Sequence, residues 1–194
     1  MVDEITPRIS SVSWAAALIN DPNWKLISTF SRTPKPSGED GFFGKTLKTD
    51  STIRTFLSFL PNQETEGEIP FLESRTILDL GPDLDGYPQT AHGGFQAALM
   101  DELCGVIVMQ NRDAKVEKAQ KLGQAVKVPD YYTAYLNTTY KKPLPTPGLL
   151  FCTAKIERVE GGDRKIFIRT TLEDGSGTVY TIGEGLFVKL AVKL

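Results

Sequence analysis

Apolar residues occupy almost every face of a helix drawn through residues 94–110, which makes this the strongest hydrophobic pattern in the chain. A helix that is apolar on all sides is a buried helix, so the pattern predicts a long central helix. Two charged residues, Asp101 and Glu102, interrupt it. Removing a carboxylate from water is unfavourable unless it is paired, protonated or functional. Asp101 is therefore a candidate general base or nucleophile. Glu102 projects about 100° away around the helix and is expected to be solvated or salt-bridged.

Shorter patterns predict the remaining elements. A helix is expected over residues 10–30, with Ser10 or Ser11 as its cap, followed by a loop over residues 32–48. Residues 111–128 carry five Lys or Arg against two acids and predict a second, solvated helix or an insertion. Strands are predicted, from alternating and β-branched runs, at residues 51–60, 71–80, 131–140, 148–160, 164–172 and 178–193.

These elements place the protein in the α+β class. The short glycine-rich turns between the last strands are typical of an antiparallel meander, and we expect a curved antiparallel sheet wrapped around the long central helix. A length of 194 residues fits one domain, or one domain with extensions. We divide the chain into an N-terminal helix and loop extension over residues 1–50 and a domain over residues 51–194.

Composition narrows the functional classes. Hydrophobic residues make up 40% and charged residues 24% of the chain, the balance of an ordinary globular protein. The formal net charge of -2 gives no overall attraction to nucleic acid, and no uncharged apolar run reaches the length of a membrane span. The acidic start with its early Pro7 lacks the pattern of a secretory signal. We therefore expect a cytoplasmic protein with no membrane span and no nucleic-acid partner.

Few residues are available for metal or nucleotide chemistry. One histidine and two separated cysteines, Cys104 and Cys152, give no metal-ligand cluster and predict buried thiols rather than a disulfide framework. The chain has no G-x-S-x-G turn of a serine hydrolase, and no G-x-G-x-x-G or P-loop pattern for a nucleotide. We expect no metal and no cofactor.

The single histidine stands directly ahead of the central helix, in Ala91-His92-Gly93-Gly94. Two glycines let a ligand approach the first backbone N–H groups of a helix, which together with the helix dipole favour developing negative charge. His92 and Asp101 are nine residues apart, about 13–14 Å of helix rise and half a turn out of phase. If both serve one site, two subunits must build it. This predicts a homodimer with two composite sites.

Two segments resemble the hot-dog-fold acyl-CoA thioesterases of the PaaI type. They are YPQTAHGG at residues 87–94, with Asp101 nine residues after the histidine, and TAYLNTTYKKPLP at residues 133–145. The resemblance covers roughly residues 71–194 and is greatest to the branch of thioesterase superfamily member 4. It implies that a homodimer, or a dimer of dimers, hydrolyses an acyl-CoA or another acyl thioester.

The resemblance also implies roles for individual residues. The Gly93 N–H polarises the thioester carbonyl, and Asp101 is either the nucleophile or the base that activates water. Thr133 aligns with a hydroxyl residue that orients this water or the carboxylate. His92 fixes the oxyanion loop or caps the helix, with direct proton transfer as the alternative.

Substrate binding is expected from residues on either side of this centre. By the resemblance, Lys141 and Lys142 meet the phosphates of CoA, and Gly94 joins Gly93 at the thioester. A solvated strand end is the other interpretation of the two lysines. Some relatives carry Asn or Asp six residues before the histidine, whereas this chain has Gly86 there. The role of that side chain cannot be carried over.

Two other functions stay open. A hot-dog-fold tailoring enzyme of a biosynthetic pathway, similar to a dehydratase or a cyclase, would keep the fold and change the reaction. The usual hydratase pattern pairs an Asp with a His five residues downstream, where this chain has Val106. A non-catalytic acyl-CoA-binding module would use the helix for packing and Asp101 as a structural pair. Three further points also stay open: which acyl chain is bound, whether the thioester is of CoA or of a carrier protein, and whether the protein is a dimer or a tetramer.

Overall fold

A long helix packed on one face of an antiparallel sheet dominates the computed structural model, which describes residues 3–125 and 128–190. Within these residues the helices α1, α2 and α3 span Pro7–Ser10, Ser13–Ile19 and Gly93–Lys121. The strands β1 to β9 span Trp24–Ile27, Ile53–Pro61, Glu73–Leu80, Asp85–Tyr87, Thr90–Ala91, Tyr131–Tyr140, Gly148–Glu160, Lys165–Glu173 and Val179–Lys189. This confirms the α+β class, and a large antiparallel sheet around a long central helix is the hot-dog fold.

Seven of the described strands form one antiparallel sheet, in the order β1-β2-β3-β7-β8-β9-β6. Strands β7, β8 and β9 follow one another as the predicted meander. Strand β6 precedes them in the sequence but pairs with β9, so it lies at the edge of the sheet. Strands β4 and β5 form a separate hairpin that leads directly into α3. The tail of the last predicted strand, residues 191–193, lies outside the described residues.

Helix α3 forms the main core with the inner face of the sheet. Its buried apolar side chains are Leu99, Met100, Leu103, Cys104, Val106, Ile107 and Val108. They pack with strand residues such as Leu78, Leu150, Ile168 and Leu172, and burial of each large apolar side chain contributes about 1.5–3 kcal/mol. Cys104 and Cys152 lie in this core as free thiols, as predicted. Among the described helices, none has the length and apolar character needed to cross a bilayer.

The predicted break after residue 110 is wrong, because α3 continues to Lys121. Residues 111–121 contain neither Gly nor Pro, so nothing in them interrupts the helix. Asn111 is buried, and its side-chain amide both donates to the Phe71 carbonyl and accepts from the Phe71 N–H, each at 2.8 Å. This fixes α3 to the chain just ahead of β3. Residues 126 and 127 of the predicted basic stretch lie outside the described residues.

The predicted helix over residues 10–30 is replaced by α1, α2 and the strand β1. The cap of α1 is Thr6, whose hydroxyl accepts from the Ile9 N–H at 3.4 Å, so the assignment of Ser10 or Ser11 as the cap is wrong. Helix α2 ends ahead of Pro22, which cannot continue a helix. Residues Trp24–Ile27 then pair with β2.

The N-terminal elements cover the outer face of the sheet. A second apolar cluster joins Ile9, Ala15 and Leu18 of the two short helices to Leu57, Phe59 and Ile77 of the sheet. The first 50 residues therefore pack on the same sheet as the rest of the chain. The division into an extension over residues 1–50 and a domain over residues 51–194 stays a prediction.

Candidate active site

His92 caps the N-terminus of α3. Its Nδ1 accepts a hydrogen bond from the Gly94 N–H at 3.0 Å, and its backbone N–H donates to the Leu84 carbonyl at 2.8 Å. Because Nδ1 is an acceptor, the neutral ring carries its proton on Nε2. The capping hydrogen bond expected from the sequence is therefore present. Any catalytic role of the exposed His92 ring stays a prediction.

Gly93 is the first residue of α3, and its N–H is among the donors that have no partner within a helix. On the other side of the same residue, the Gly93 carbonyl accepts from the Tyr140 hydroxyl at 2.8 Å. Tyr140 is the last residue of β6, so the edge strand holds the start of the helix. The positive end of the helix dipole and this free N–H are suited to a developing oxyanion.

Gly94 and Gly86 make room for the His92 ring. A Cβ on Gly94 would lie 3.1 Å from both Cε1 and Nδ1 of His92. A Cβ on Gly86 would lie 2.9 Å from the His92 Cα and 3.0 Å from its Cδ2. His92 thus occupies the space that a side chain at position 86 would need.

Restoring a side chain at this position should harm the cap. We expect Gly86→Asn to lower the free energy of unfolding by about 1–3 kcal/mol, since the overpacked His92 must move. The measurement is chemical denaturation of the variant and the wild type. The control is Gly67→Ala, because the nearest atom to a Cβ there is the Thr65 hydroxyl at an ordinary 3.7 Å. Equal stability of the wild type and Gly86→Asn would show that His92 is not held as described.

Asp101 lies eight residues after Gly93 on α3 and is partly exposed. The Thr133 hydroxyl donates to Asp101 Oδ1 at 2.8 Å, which joins α3 to the edge strand. A β-bulge between Thr133 and Tyr135 interrupts the register of β6 with β9 at this point. Bulges often re-aim a side chain next to a functional site. Within the described parts of the chain, no Lys or Arg forms an ion pair with Asp101.

Glu102 is not the solvated or salt-bridged residue that was expected. It is only partly exposed, and it accepts a hydrogen bond from the Ser31 hydroxyl. Burial raises the pKa of the Glu102 carboxyl to about 7, against the opposing effect of that hydrogen bond. The contact joins residues 71 positions apart in the sequence. No local pattern could have revealed it.

Two further residues beside the helix start were not found from the sequence. Tyr140 acts through the hydroxyl described above. Gln96 is buried, donates from Nε2 to the Ala91 carbonyl at 2.9 Å and accepts from the Thr181 hydroxyl. Gln96 therefore connects the residue before His92 to β9. A polar residue in an otherwise apolar helix was the available signal, and it was overlooked in favour of the carboxylates.

The lysines assigned to the CoA phosphates are exposed. Lys141 and Lys142 follow Tyr140 directly, so the strand end that contacts Gly93 also carries both ammonium groups. Their backbone N–H groups donate to the Tyr180 carbonyl at 2.7 Å and 3.1 Å, which fixes the backbone and leaves the side chains in solvent.

The basic residues near the end of α3 are largely neutralised by acids. Arg112 pairs with Asp113 at 2.8 Å, and Lys115 pairs with Asp163 at 2.9 Å. The exposed lysines at the end of β6 are therefore better placed to bind an anion than this part of the helix.

One chain thus presents two separate half-sites. The Gly93 N–H and the Asp101 carboxylate lie on one straight helix, separated by eight residues and therefore by about 12 Å of rise. Gly93, His92, Gly94 and Tyr140 meet at the start of α3. Asp101 and Thr133 meet further along the same helix.

Comparison with known proteins identifies the family that this part of the chain resembles. The sequence model of the thioesterase superfamily matches residues 88–181, a stretch that holds the capped helix, Asp101 and Thr133. Residues 88–181 are therefore similar to the thioesterase superfamily, and the central helix and sheet form the hot-dog fold, as the resemblance implied.

Individual relatives are similar to this domain. The mouse acyl-coenzyme A thioesterase THEM4 is 31% identical over 122 residues, which cover 61% of this chain and 45% of the relative. Mouse acyl-coenzyme A thioesterase THEM5 is 29% identical over 122 residues, or 62% of this chain and 42% of the relative. This chain spans less than half the length of these two relatives. THEM4 of Xenopus laevis is 28% identical over 176 residues, 86% of this chain and 68% of the relative.

A solved structure supports the fold. A candidate esterase from Mycobacterium tuberculosis superposes with a TM-score of 0.50 at 18% sequence identity, over 68% of this chain and 93% of the other. At this identity the likeness concerns the fold alone.

Proposed function

We propose that the protein hydrolyses an acyl-CoA thioester to the free acid and CoA. One feature of α3 carries the proposal. The helix bears Asp101, which accepts a hydrogen bond from Thr133, and it begins at Gly93, whose N–H has no partner within the helix. These are a base with its orienting group and an oxyanion donor, which together are what acyl transfer to water requires. The similar mouse proteins are named acyl-coenzyme A thioesterases.

Each residue has one step in the proposed reaction. Asp101 accepts a proton from a water molecule as the water oxygen bonds to the thioester carbon. Thr133 keeps the carboxylate oriented through its hydrogen bond. The Gly93 N–H stabilises the negative charge that develops on the carbonyl oxygen. The carbon–sulfur bond then breaks, the acid leaves, and the CoA thiolate takes up the proton.

Asp101 as a direct nucleophile is the other form of this mechanism, and labelled water separates the two. In a single turnover in water labelled with heavy oxygen, a general base places the label only in the released acid. If Asp101 is the nucleophile, its carboxylate bonds to the acyl carbon, the carbon–sulfur bond breaks and CoA leaves. Water then hydrolyses the resulting mixed anhydride, and attack at the aspartyl carbon leaves the label in Asp101.

The proposed assembly is a homodimer, or a dimer of dimers, in which one chain supplies Gly93 and its partner supplies Asp101. The separation of about 12 Å along one helix requires two chains if both groups act on one carbonyl. Strand β6 supports this arrangement, because it is a ten-residue edge strand with exposed Tyr132 and Tyr135. Exposed edge strands of this length pair readily with a second copy.

Lys141, Lys142 and Gly94 form the proposed substrate-binding set. Both lysines directly follow Tyr140, whose hydroxyl contacts the Gly93 carbonyl. CoA phosphates bound to the lysines would therefore lie beside the helix start, with the thioester at Gly93. The absence of a metal or cofactor requirement and the cytoplasmic location stay predictions.

A panel of acyl-CoA thioesters with free-thiol detection tests the proposed function. We expect thiol release that depends on acyl-chain length. Binding without release would favour the non-catalytic module, and conversion of the acyl chain without release would favour the tailoring enzyme. Acyl-carrier-protein thioesters in the same assay separate the two kinds of carrier.

A further inference from the structure

Ser31 and Glu102 join the N-terminal part of the chain to α3 next to Asp101. The Ser31 hydroxyl donates to Glu102 Oε1, and Ser31 is buried. Ser31 belongs to the connection between β1 and β2, and we call residues 28–48 of that connection the strap. Glu102 directly follows Asp101, so this contact lies one residue from the proposed base.

The strap holds Ser31 on a fixed backbone. Arg32 is 1% exposed, and its guanidinium donates to the carbonyls of Phe43 and Ile53 at 2.7 Å and 2.9 Å and pairs with Asp3 at 3.0 Å. Gly44 packs so closely that a Cβ there would lie 2.7 Å from the Ser31 carbonyl oxygen. The strap is therefore anchored at Arg32, directly after the serine, and at Gly44, which packs against the serine carbonyl.

Beyond the contact, the strap borders a groove beside the proposed site. A cavity of about 450 Å³ has a lining with both basic and acidic side chains: Phe30, Lys35, Glu39 and Asp40 of the strap, Met109 and Arg112 of α3, and Asp130, Tyr131 and Tyr132 at the start of β6. Tyr132 immediately precedes Thr133, the partner of Asp101.

The face of α3 that carries Glu102 runs toward this groove. Glu102 and Met109 are seven residues apart and share one face of the helix. Gly105 lies between them, and a Cβ on it would meet no atom within 4 Å. The helix surface at Gly105, between the covered Glu102 and the groove at Met109, therefore has open space in front of it.

We propose that Glu102 is a positioning residue: held by Ser31, it keeps the strap against α3 beside Asp101 and so sets one wall of the substrate groove. The inference rests on the proposed thioesterase function. It gives the strap, residues 28–48, a role in the site. The strap lies outside residues 88–181, which match the thioesterase superfamily.

The charges around Glu102 make its contribution to stability depend on pH. Burial raises the pKa of its carboxyl from the usual 4.5 to about 7, the Ser31 hydrogen bond lowers it, Asp40 and Asp101 raise it, and Arg32 lowers it. Since the folded state raises the pKa, the contribution of Glu102 to stability is complete below pH 4.5 and is lost as the pH rises to about 7. The Ser31 hydrogen bond itself favours the ionised carboxylate, so the contact with the strap is kept above pH 7.

A variant that removes the hydrogen bond tests the positioning role. We expect Ser31→Ala to raise KM about 5- to 10-fold, the effect of losing one hydrogen bond, and to change kcat much less. Glu102→Gln keeps an acceptor oxygen for the Ser31 hydroxyl and should keep the KM of the wild type. The exposed control Glu157→Gln should follow the wild type.

A measurement without substrate keeps the two proposals distinguishable. We divide the equilibrium constant for unfolding of the wild type by that of Glu102→Gln. This ratio should rise on the order of 10²-fold between pH 4.5 and 7 and then stay constant. Ser31→Ala lacks the hydrogen bond that lowers the pKa of Glu102. For this variant the ratio should therefore become constant at a higher pH. An active Ser31→Ala variant whose KM equals that of the wild type would overturn the positioning role alone. Absence of thiol release would overturn the proposed function, while the stability profile would still report the proton on Glu102.

Discussion

Replacing Gly93 by proline should lower kcat by about 10²–10³-fold, the usual effect of removing one oxyanion donor, and should leave α3 intact. Proline lacks the backbone N–H, and the first position of a helix is where it is best tolerated. The preceding His92 has φ -58° and ψ 134°, the extended conformation that a residue before proline prefers. The substitution therefore removes the one N–H assigned to the oxyanion and little else.

Gly93→Ala is the matched control, because it adds a Cβ and keeps the N–H. That Cβ would lie 3.4 Å from the Tyr140 hydroxyl, a contact that a small adjustment accommodates. We expect the Ala variant to retain most of its kcat, with circular dichroism confirming equal helix content in both variants. Full activity of the Pro variant would show that another group stabilises the oxyanion.

The sequence was most informative about α3. Its apolar residues lie on nearly every face, which only a buried central helix explains, and the structure confirms it. The position of its C-terminal end was not predicted. A change from apolar to charged residues at position 111 occurs where a helix ends, and also where a continuing helix leaves the core and enters solvent. The tertiary contact between Asn111 and Phe71 decides between the two.

Six of the nine described strands were predicted, but not their order in the sheet; β1 was predicted as helix, and β4 and β5 were not predicted. Short turns made the pairing of β7, β8 and β9 predictable, because hairpin partners are neighbours in sequence. The pairing of β6 with β9 and of β3 with β7 closes long loops, and no local pattern specifies it. This order matters for function, because it leaves Thr133 and Tyr140 on an edge strand.

The candidate site was also predicted from the sequence only in part. Gly93, Asp101 and Thr133 could be named from a motif and its spacing. Tyr140 at the Gly93 carbonyl and Ser31 at Glu102 could not, because each contact joins distant parts of the chain. The position of Glu102 on the helix was predicted correctly, but its partner was not. Ser31 lies between the helix predicted over residues 10–30 and the loop predicted over residues 32–48, and neither prediction placed it against α3.

Replacing Asp101 by asparagine should lower kcat by about 10²-fold or more, the scale of lost general-base catalysis. The amide oxygen of the variant can still accept the hydrogen bond from Thr133, so the local structure is preserved while the proton acceptor is lost. The control is Asp113→Asn, an exposed carboxylate on the same helix. Thiol release from acyl-CoA measures both. A folded Asp101→Asn variant with full activity would contradict the mechanism.

The same variant shows whether two chains build each site. In a dimer of one Asp101→Asn chain and one Gly93→Pro chain, a composite site between subunits leaves one of the two sites with both groups intact. An equal mixture that reassorts at random should therefore recover about a quarter of wild-type activity, since half of the dimers are mixed and each has one working site. Sites contained within single chains would give no recovery, because every chain in the mixture lacks one of the two groups.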